Sequence, residues 1–364
     1  MSASRLPKTR RPAPPAPFVP PYPASWFDHF KVWVERLPIA WWLFYLIAAA
    51  FLEGIQVAIL SREGIFRDYG VQFFQFFFPI TWILATFLMH AFDRRAKTAL
   101  ERFRPALKPE GTTYVRLLYE LTTLPAGRTI LAGLAGLAFG LGTVFLMPIS
   151  FLDYPLFGMN STPIAVTFTV AVFLPTLWFW FTLVYHTIHQ LRTVHKIYVR
   201  HAQVDLYRLR PVYALAGLTA ATALGFAAYT YPWLTDPGLQ AGSSLSGYTL
   251  VLSPPFYVWP ILIFVWPLWG AHRILVERKD QALADLGQRK QTITTRFHAQ
   301  IDRGRLGGID EYHKALTTLD LESAAIEKIP TWPWPRGMFR NLMAAFLLPL
   351  FIWLLQFGLA KLLQ

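Results

Sequence analysis

The chain has 364 residues, of which 54% are hydrophobic, 16% are aromatic and only 15% are charged. Typical soluble domains carry about 25% charged residues, so this composition excludes an ordinary soluble protein. The net charge of +13 would indicate nucleic acid only if the basic residues formed one face of a soluble fold. The lack of cysteine excludes disulfides, thiolate metal sites and cysteine nucleophiles.

Apolar stretches dominate the chain. A helix of roughly 20 apolar residues crosses a bilayer core, because its backbone polar groups are satisfied within the segment. The sequence therefore predicts an all-α, polytopic membrane protein with seven transmembrane helices. The predicted spans are 38–60, 70–92, 129–151, 163–186, 211–234, 250–270 and 338–363.

Basic residues indicate the orientation, since lysine and arginine are retained on the cytoplasmic side. Of the 34 basic residues, 30 fall in segments 1–37, 93–128, 187–210 and 271–337. The loops on the other side and the C-terminal end carry three, and Arg340 lies inside the last span. The N-terminus is thus predicted to be cytoplasmic and the C-terminus outside, and the net charge needs no nucleic-acid partner.

Four regions follow from this pattern. Residues 1–37 form a Pro-rich cytoplasmic arm with a short interfacial helix, whose Lys31 and Arg36 are expected to reach lipid headgroups. Residues 38–270 form a six-helix transmembrane bundle with basic cytoplasmic loops, and 338–364 form the seventh helix. Residues 271–337 form a cytoplasmic helical hairpin, with apolar stripes on both helices and glycines between them. We expect the hairpin to act as a packed domain or subunit interface, with a solvated spacer as the alternative.

Small residues predict which spans are central, because they let helix backbones approach closely in lipid. They recur one turn apart in the third and fifth spans, which are predicted to lie inside the bundle. The aromatic second and fourth spans are predicted to be peripheral. The small residues are Ala132, Gly136, Gly140, Gly217, Ala221 and Gly225.

Glu53 is the only acidic residue well inside a predicted span, and an intramembrane carboxylate is costly enough to indicate a functional site. Gln56, Gln72 and Gln75 are expected at a similar depth. Together they predict a polar pocket in the outer half of the bundle that binds a ligand or an ion. The alternative is a hydrogen-bonded clamp between the first two spans.

The histidines do not predict a metal or haem site. His90, His186, His189 and His272 fall near the cytoplasmic ends of their spans, but their spacing gives no compact ligand set, so we expect hydrated interfacial side chains and no cofactor. No phosphate-binding loop, nucleophile elbow or zinc-protease motif is found in the sequence. The chain is therefore not predicted to be an enzyme.

The end of the chain carries a family resemblance. Gln356 and Phe357 follow five apolar residues, and this resembles the last-helix signature of the seven-transmembrane ion channels typified by insect odorant and gustatory receptors. Pro349 and Leu350 stand where that family has Thr-Tyr. A helix continuing from 191 to 208 and the hairpin after the sixth span are also similar. The Trp-Pro-Trp segment at 332–334 resembles uncharacterised bacterial membrane proteins as well, which implies no function.

The resemblance implies a homo-oligomeric ion channel, tetrameric as in that family, with a pore lined by the seventh helix. The pore-lining candidates are Leu348, Ile352, Gln356 and Leu359, which recur at helical spacing with a single amide among aliphatic residues. The expected partners are the bilayer, further copies of the chain, and an ion or small ligand, at the plasma (cytoplasmic) membrane. The alternatives are a non-conducting receptor, scaffold or complex subunit that acts through the hairpin, and a transporter or lipid-handling protein.

Overall fold

The computed structural model describes residues 18–64, 73–108, 113–146, 163–234, 246–304, 307–335 and 337–362. Within these ranges the chain forms ten α-helices and no β-strand. The helices are α1 (Trp26–Glu35), α2 (Trp41–Arg62), α3 (Phe73–Phe103), α4 (Thr113–Thr122), α5 (Ala126–Leu146), α6 (Pro163–Lys196), α7 (Val212–Leu234), α8 (Ser246–Ile301), α9 (Ile309–Glu327) and α10 (Met338–Leu362).

Five segments of these helices are long and apolar enough to cross a membrane, as expected for an integral, multi-pass membrane protein. Two shorter apolar stretches, Ala126–Gly142 and Met338–Leu348, lie in α5 and α10. The five long segments are Trp41–Arg62, Phe76–Ala106, Val170–His201, Val212–Pro232 and Val258–Ile301. Each of the seven predicted spans thus corresponds to a helix. The predicted all-helical membrane fold is confirmed, and the number of seven spans stays a prediction.

Helix α3 is longer than predicted, since it continues to Phe103, eleven residues past the predicted end of the second span. Helix α6 continues ten residues past the fourth span, to Lys196, as part of the predicted continuation. A π-helical turn, Ile197–His201, follows α6 before the backbone becomes extended at Ala202. The helix predicted to continue to residue 208 therefore ends earlier.

The bundle centre consists of α3, α6, α7 and α8, while α2 packs mainly on α3 and α5 mainly on α6. The prediction for the fifth span is confirmed, because Ala216, Ala223 and Phe226 of α7 are buried. The predictions for the second, third and fourth spans were wrong. In α5, the small residues form a single narrow face that packs closely on α6, whereas Leu131 and Leu134 are exposed.

Helices α8 and α9 form a hairpin beyond the bundle. Gly304 and Gly308 in the connection have φ values of 66° and 88°, a backbone region that glycine adopts without strain. The Phe297 ring packs against Tyr312 with 5.5 Å between centroids, and Lys290 forms an ion pair with Asp320 at 2.7 Å. The two helices therefore run antiparallel with these residues at matching levels.

Candidate functional site

Asp28, Lys31, Asp93, His186 and Gln190 form a buried group that we call the polar cluster. They come from α1, α3 and α6. The Lys31 ammonium donates to Asp93 Oδ2 at 2.5 Å and to Asp28 Oδ1 at 3.2 Å. His186 Nε2 donates to Asp93 Oδ1 at 2.9 Å, and Gln190 Nε2 lies 3.5 Å from the same oxygen. The cluster thus joins the short first helix to two central helices.

The first turn of α1 explains how Asp28 is held. Ser25 is the N-cap, and Ser25 and Asp28 form a reciprocal capping box, which satisfies free backbone donors at the start of the helix. The amide of Leu124 also donates to Asp28 Oδ2 at 3.0 Å, and Lys31 donates to the Thr122 carbonyl at 2.8 Å. The helix cap is therefore also the point where α1 attaches to the end of α4.

The charges of the cluster favour a protonated Lys31. Burial lowers the pKa of Lys31, but the carboxylates of Asp93 and Asp28 raise it by more, so that its pKa lies above the usual value. The two carboxylates of Asp28 and Asp93 face this one ammonium. Buried charges are tolerated in proteins when they are paired and hydrogen-bonded in this way.

The polar cluster has the properties of a structural clamp. All four carboxylate oxygens of Asp28 and Asp93 lie within hydrogen-bonding distance of protein groups. An ion or substrate that bound to the two carboxylates would have to displace one of these partners. His186 Nδ1 and Gln190 Oε1 are buried without a hydrogen-bond partner in the described part of the chain. The carboxylates and Lys31 therefore fix α1 on the bundle.

Two predictions about this region were wrong. Lys31 does not reach outward to headgroups, because its side chain is only 13% exposed. His90 and His186 are not hydrated, because both are buried. The reason is that α3 and α6 continue past these residues, and α1 and α4 cover that level. The spacing of Asp28 and Lys31 by three residues was the available signal, since such residues are neighbours on a helix.

A second ionic contact joins α4 to α6. Glu120 accepts from Lys196 at 2.6 Å and from Arg116 at 2.9 Å. Burial raises the pKa of Glu120, but the hydrogen bonds and charges of these two cations lower it by more, and the resulting pKa lies below the usual value. His189 donates to the Glu120 backbone carbonyl at 3.0 Å. Glu120 and His189 beside the cluster are thus also held by protein partners.

The predicted outer pocket is described in part. Glu53 lies on α2, and both of its carboxylate oxygens are buried without a hydrogen-bond partner in the described part of the chain. Gln56, one turn further along, is buried. Gln72 lies outside the described residues, and Gln75 belongs to α3 but its side chain is outside the described part. The meeting of the four residues in one pocket therefore stays a prediction.

Helix α10 has a packed side and an uncovered side. Leu342 and Phe346 are buried, and Tyr231 of α7 donates to the Phe346 carbonyl at 3.1 Å. The predicted pore residue Leu348 is 58% exposed, and the large apolar residues Leu347, Phe351 and Leu355 on the same side are also exposed. Ile352, Gln356 and Leu359 belong to α10, but their side chains lie outside the described part.

An aromatic stack connects the hairpin to the start of α10. His272 of α8 stacks on Trp332 at 4.1 Å between ring centroids, Trp332 stacks on Trp334 at 4.4 Å, and Trp334 stacks on Phe339 at 5.3 Å. His272 also donates to the Thr331 carbonyl at 3.0 Å. The stacking of these rings across a proline-rich turn could not be inferred from their spacing in the sequence.

Comparisons with known proteins do not identify a family for this chain. No group of three or more histidine, aspartate or glutamate side chains positioned to hold a metal ion occurs in the described residues. No protein-family model, curated protein or solved structure matches the chain significantly.

Proposed function

We propose that the protein is a homo-oligomeric ion channel with seven membrane-spanning helices, in which α10 of each copy lines a shared pathway. The observation that carries the proposal is the uncovered side of α10. This helix is fastened to α7 and α8 by its first turns and leaves Leu347, Leu348, Phe351 and Leu355 exposed. Such an arrangement leaves one side free for lipid or for other copies of α10.

The helical register favours other copies over lipid. Trp353 follows the buried Phe346 by seven residues, which returns to within about 20° of the same side of the helix. From this register alone, position 353 is expected on the packed side, away from Leu348. Gln356 follows Leu348 by eight residues, and the register predicts it at the edge of the uncovered side. A lone amide facing lipid is costly, whereas several copies around a pore would hydrate ions together.

The proposed topology has seven spans, a cytoplasmic N-terminus and an outside C-terminus. The helices α5 and α10 contain 21 and 25 residues, which at about 1.5 Å per residue suffices to cross a bilayer core of about 30 Å. The asymmetry of 30 basic residues against three supports the orientation. A tag in the loop 235–249 and a reporter after Gln364 should both be accessible from outside. A C-terminal reporter that is active only in the cytoplasm would contradict this topology.

Glu53 supports an outer ligand or ion site as part of the same proposal. Its carboxylate is buried without a hydrogen-bond partner in the described part of the chain, and it lies on α2, a mostly apolar and largely exposed helix. A carboxylate in such surroundings is stabilised by a proton, a cation or a cationic ligand. We therefore place regulation by a ligand or by protons at the outer half of α2.

A non-conducting receptor or scaffold is the second candidate. The observation in its favour is that the hairpin surface extends beyond the bundle and exposes Leu321 to 68%. That surface would serve a cytoplasmic partner as well as a neighbouring copy. A scaffold requires no ion flux, and this distinguishes it from a channel.

The experiment that tests the channel combines particle mass with conductance. Purified protein in lipid nanodiscs should contain several copies, four if the assembly follows the family that its last helix resembles. The same protein in liposomes should carry ions down an imposed gradient. Single-copy particles would contradict the proposal, because one α10 cannot enclose a pore. Oligomers without ion flux would favour the scaffold.

A further inference from the structure

The end of α9 is fastened to α8 by two side chains of α8. The Lys279 ammonium donates to the carbonyl oxygen of Glu327 at 2.7 Å and to that of Ile329 at 3.2 Å. His272, seven residues earlier and within about 20° of the same side of α8, donates to the Thr331 carbonyl at 3.0 Å. Carbonyl groups at the end of a helix need partners from outside it. Here α8 supplies the donors, one after another along a single side.

The turn that follows, residues 328–337, depends on side chains for its position. It contains three prolines between residues 330 and 335, and proline has no backbone N–H to donate. In the described residues, the backbone hydrogen bonds that close the turn lie at its ends, where Ile329 donates to Ile326 and Met338 donates to Pro335. The aromatic stack of His272, two indoles and Phe339 fills the interval between these ends.

The stack also reaches the core of the bundle. Trp334 packs on the buried Phe264 of α8 with 5.4 Å between ring centroids. Phe264 and His272 are eight residues apart, about 12 Å along α8, and the two indoles make a continuous contact between them. Trp334 and Phe339 stack across Gly337, whose φ of 86° lets the chain turn directly into α10. The rings therefore join α8, the turn and the first residues of α10.

Helix α10 has few other attachments. In its described part the buried residues are Leu342 and Phe346, which lie one turn apart on one side of the helix. Two neighbouring contacts on one side allow a helix to tilt about them. The contact of Phe339 with the stack adds a third attachment, at the level where α10 begins. The stack is thus placed to determine the direction in which α10 crosses the bundle.

We propose that the aromatic stack positions α10 and couples it to the hairpin, so that a displacement of α9 on α8 shifts the start of α10. His272, Trp332 and Trp334 are then positioning residues for the helix that lines the proposed pathway. The proposal rests on the proposed function for its effect on ion flux. Its claim about the position of α10 applies equally to a protein that does not conduct.

The packing of α9 makes it the part of the hairpin that can move. Ile326 is the only buried residue of α9, and it lies at the end that precedes the turn. Segments with few buried apolar contacts have low local stability. From this end, the Lys279 and His272 hydrogen bonds and then the stacked rings lead to α10. A movement of α9 therefore has a continuous route of contacts to α10.

Anchoring of single indoles in the lipid interface is the competing explanation of these rings. Tryptophan is common at that level because one end of the ring is apolar and the other is polar. Trp332, however, is stacked on His272 at 4.1 Å and on Trp334 at 4.4 Å, with interplanar angles of 14° and 18°. A ring with two stacked protein neighbours is held by the protein. The structure therefore favours a positioning role over a lipid anchor.

The position of α10 can be measured with spin labels, because the chain has no native cysteine. Labels are attached at Leu131→Cys on α5 and Leu348→Cys on α10, both of which are exposed positions. In nanodiscs, labelled chains are diluted with unlabelled wild type, so that double electron–electron resonance reports distances within one copy. Trp332→Leu should broaden the distance distribution, because α10 loses its link to α8. Trp332→Phe keeps a ring for stacking and should retain a narrow distribution.

A pair of His272 variants separates the stack from the hydrogen bond. His272→Gln keeps a donor for the Thr331 carbonyl but removes the ring, whereas His272→Phe keeps a ring and removes the donor. The glutamine variant should broaden the distribution much more than the phenylalanine variant. Trp42→Leu is the matched control, because it removes an exposed indole of α2 outside the stack, and it should leave the distribution unchanged. The His272 pair answers the question even if Trp332→Leu does not fold.

Lys279→Met tests the coupling to the hairpin. It frees the end of α9 without removing a ring, and it should broaden the distribution in the otherwise wild-type chain. In a His272→Gln chain it should add little, because the link to α10 is already lost. Lys290→Met is the control, since its largely exposed pair with Asp320 contributes little to holding α9. It should change neither distribution.

The outcomes separate this proposal from the channel. Narrow distributions in both Trp332→Leu and His272→Gln would overturn the positioning role, and additive broadening by Lys279→Met and His272→Gln would overturn the coupling. In conducting particles, His272→Gln should change ion flux severalfold, and unchanged flux despite broadening would refute control of the pathway. Broadening in particles that carry no ions would retain the positioning role and reject the channel.

Discussion

The Lys31 ammonium and the Asp93 carboxylate lie 2.5 Å apart, with side chains that are 13% and 5% exposed. This contact links α1, which precedes the first apolar helix, to α3 in the centre of the bundle. Removing one partner of a buried ion pair leaves the other charge unpaired, which typically costs about 3–5 kcal/mol. The contact is thus expected to contribute strongly to the position of α1.

Lys31→Met and Asp93→Asn should therefore each destabilise the protein by about 3–5 kcal/mol. The double variant should lose much less than the sum, because neither charge is left without the other. Arg94→Met is the matched control, since the exposed Arg94–Glu35 pair should contribute only about 0–1 kcal/mol. Denaturant unfolding in detergent micelles measures these differences. Additive losses, or a Lys31→Met loss no larger than that of the control, would show that the contact is not a clamp.

Glu120 should give the protein part of its acid sensitivity. Its pKa in the folded protein lies below the unfolded value of about 4.3, so its contacts with Lys196 and Arg116 stabilise the fold near neutral pH. This contribution is lost as the pH falls through the folded pKa. Glu120→Gln should lower stability at pH 7 and reduce its further loss between about pH 5 and 3. An acid profile parallel to that of the wild type would refute this role.

Gly136 should be required for the packing of α5 on α6. A Cβ atom at this position would lie near the backbone carbonyl oxygen of Leu177, which cannot move aside as a flexible side chain would. Gly136→Ala should therefore destabilise the protein by about 1–3 kcal/mol, as overpacking commonly does. In the same helix, a Cβ at Gly142 would have no neighbour within 4 Å among the residues that the structure describes. Gly142→Ala is thus the control and should have no measurable cost.

Glu53→Gln should alter function more than stability. The substitution keeps the shape and hydrogen-bonding capacity of the side chain while it removes the ionisable charge. If the outer site binds a ligand or a proton, ion flux and its dependence on external pH should change in liposomes. Unfolding measurements serve as the control for a structural effect. Unchanged flux with reduced stability would instead favour a clamp between the first two apolar helices.

The sequence predicted the helices well because hydrophobic length is a local property. The first span, expected at 38–60, is α2 at Trp41–Arg62. The polar cluster was missed because hydropathy marks where apolar runs end and does not reveal that α3 continues and that α1 covers Asp93. The small residues of α5 correctly indicated close packing against another helix. They did not indicate how many helices surround α5, because that depends on the tertiary arrangement. The pore and pocket hypotheses rest in part on side chains outside the described residues.

Thiol block of ion flux at α10 tests the central claim most directly. In liposomes, a water-soluble thiol reagent should change the ion flux of Gln356→Cys and should leave that of Trp353→Cys unchanged, because, of these two positions, only 356 borders the proposed pathway. The wild-type chain has no cysteine and should not respond. Equal responses at positions 356 and 353, or no response at either in a conducting protein, would contradict a pathway lined by α10.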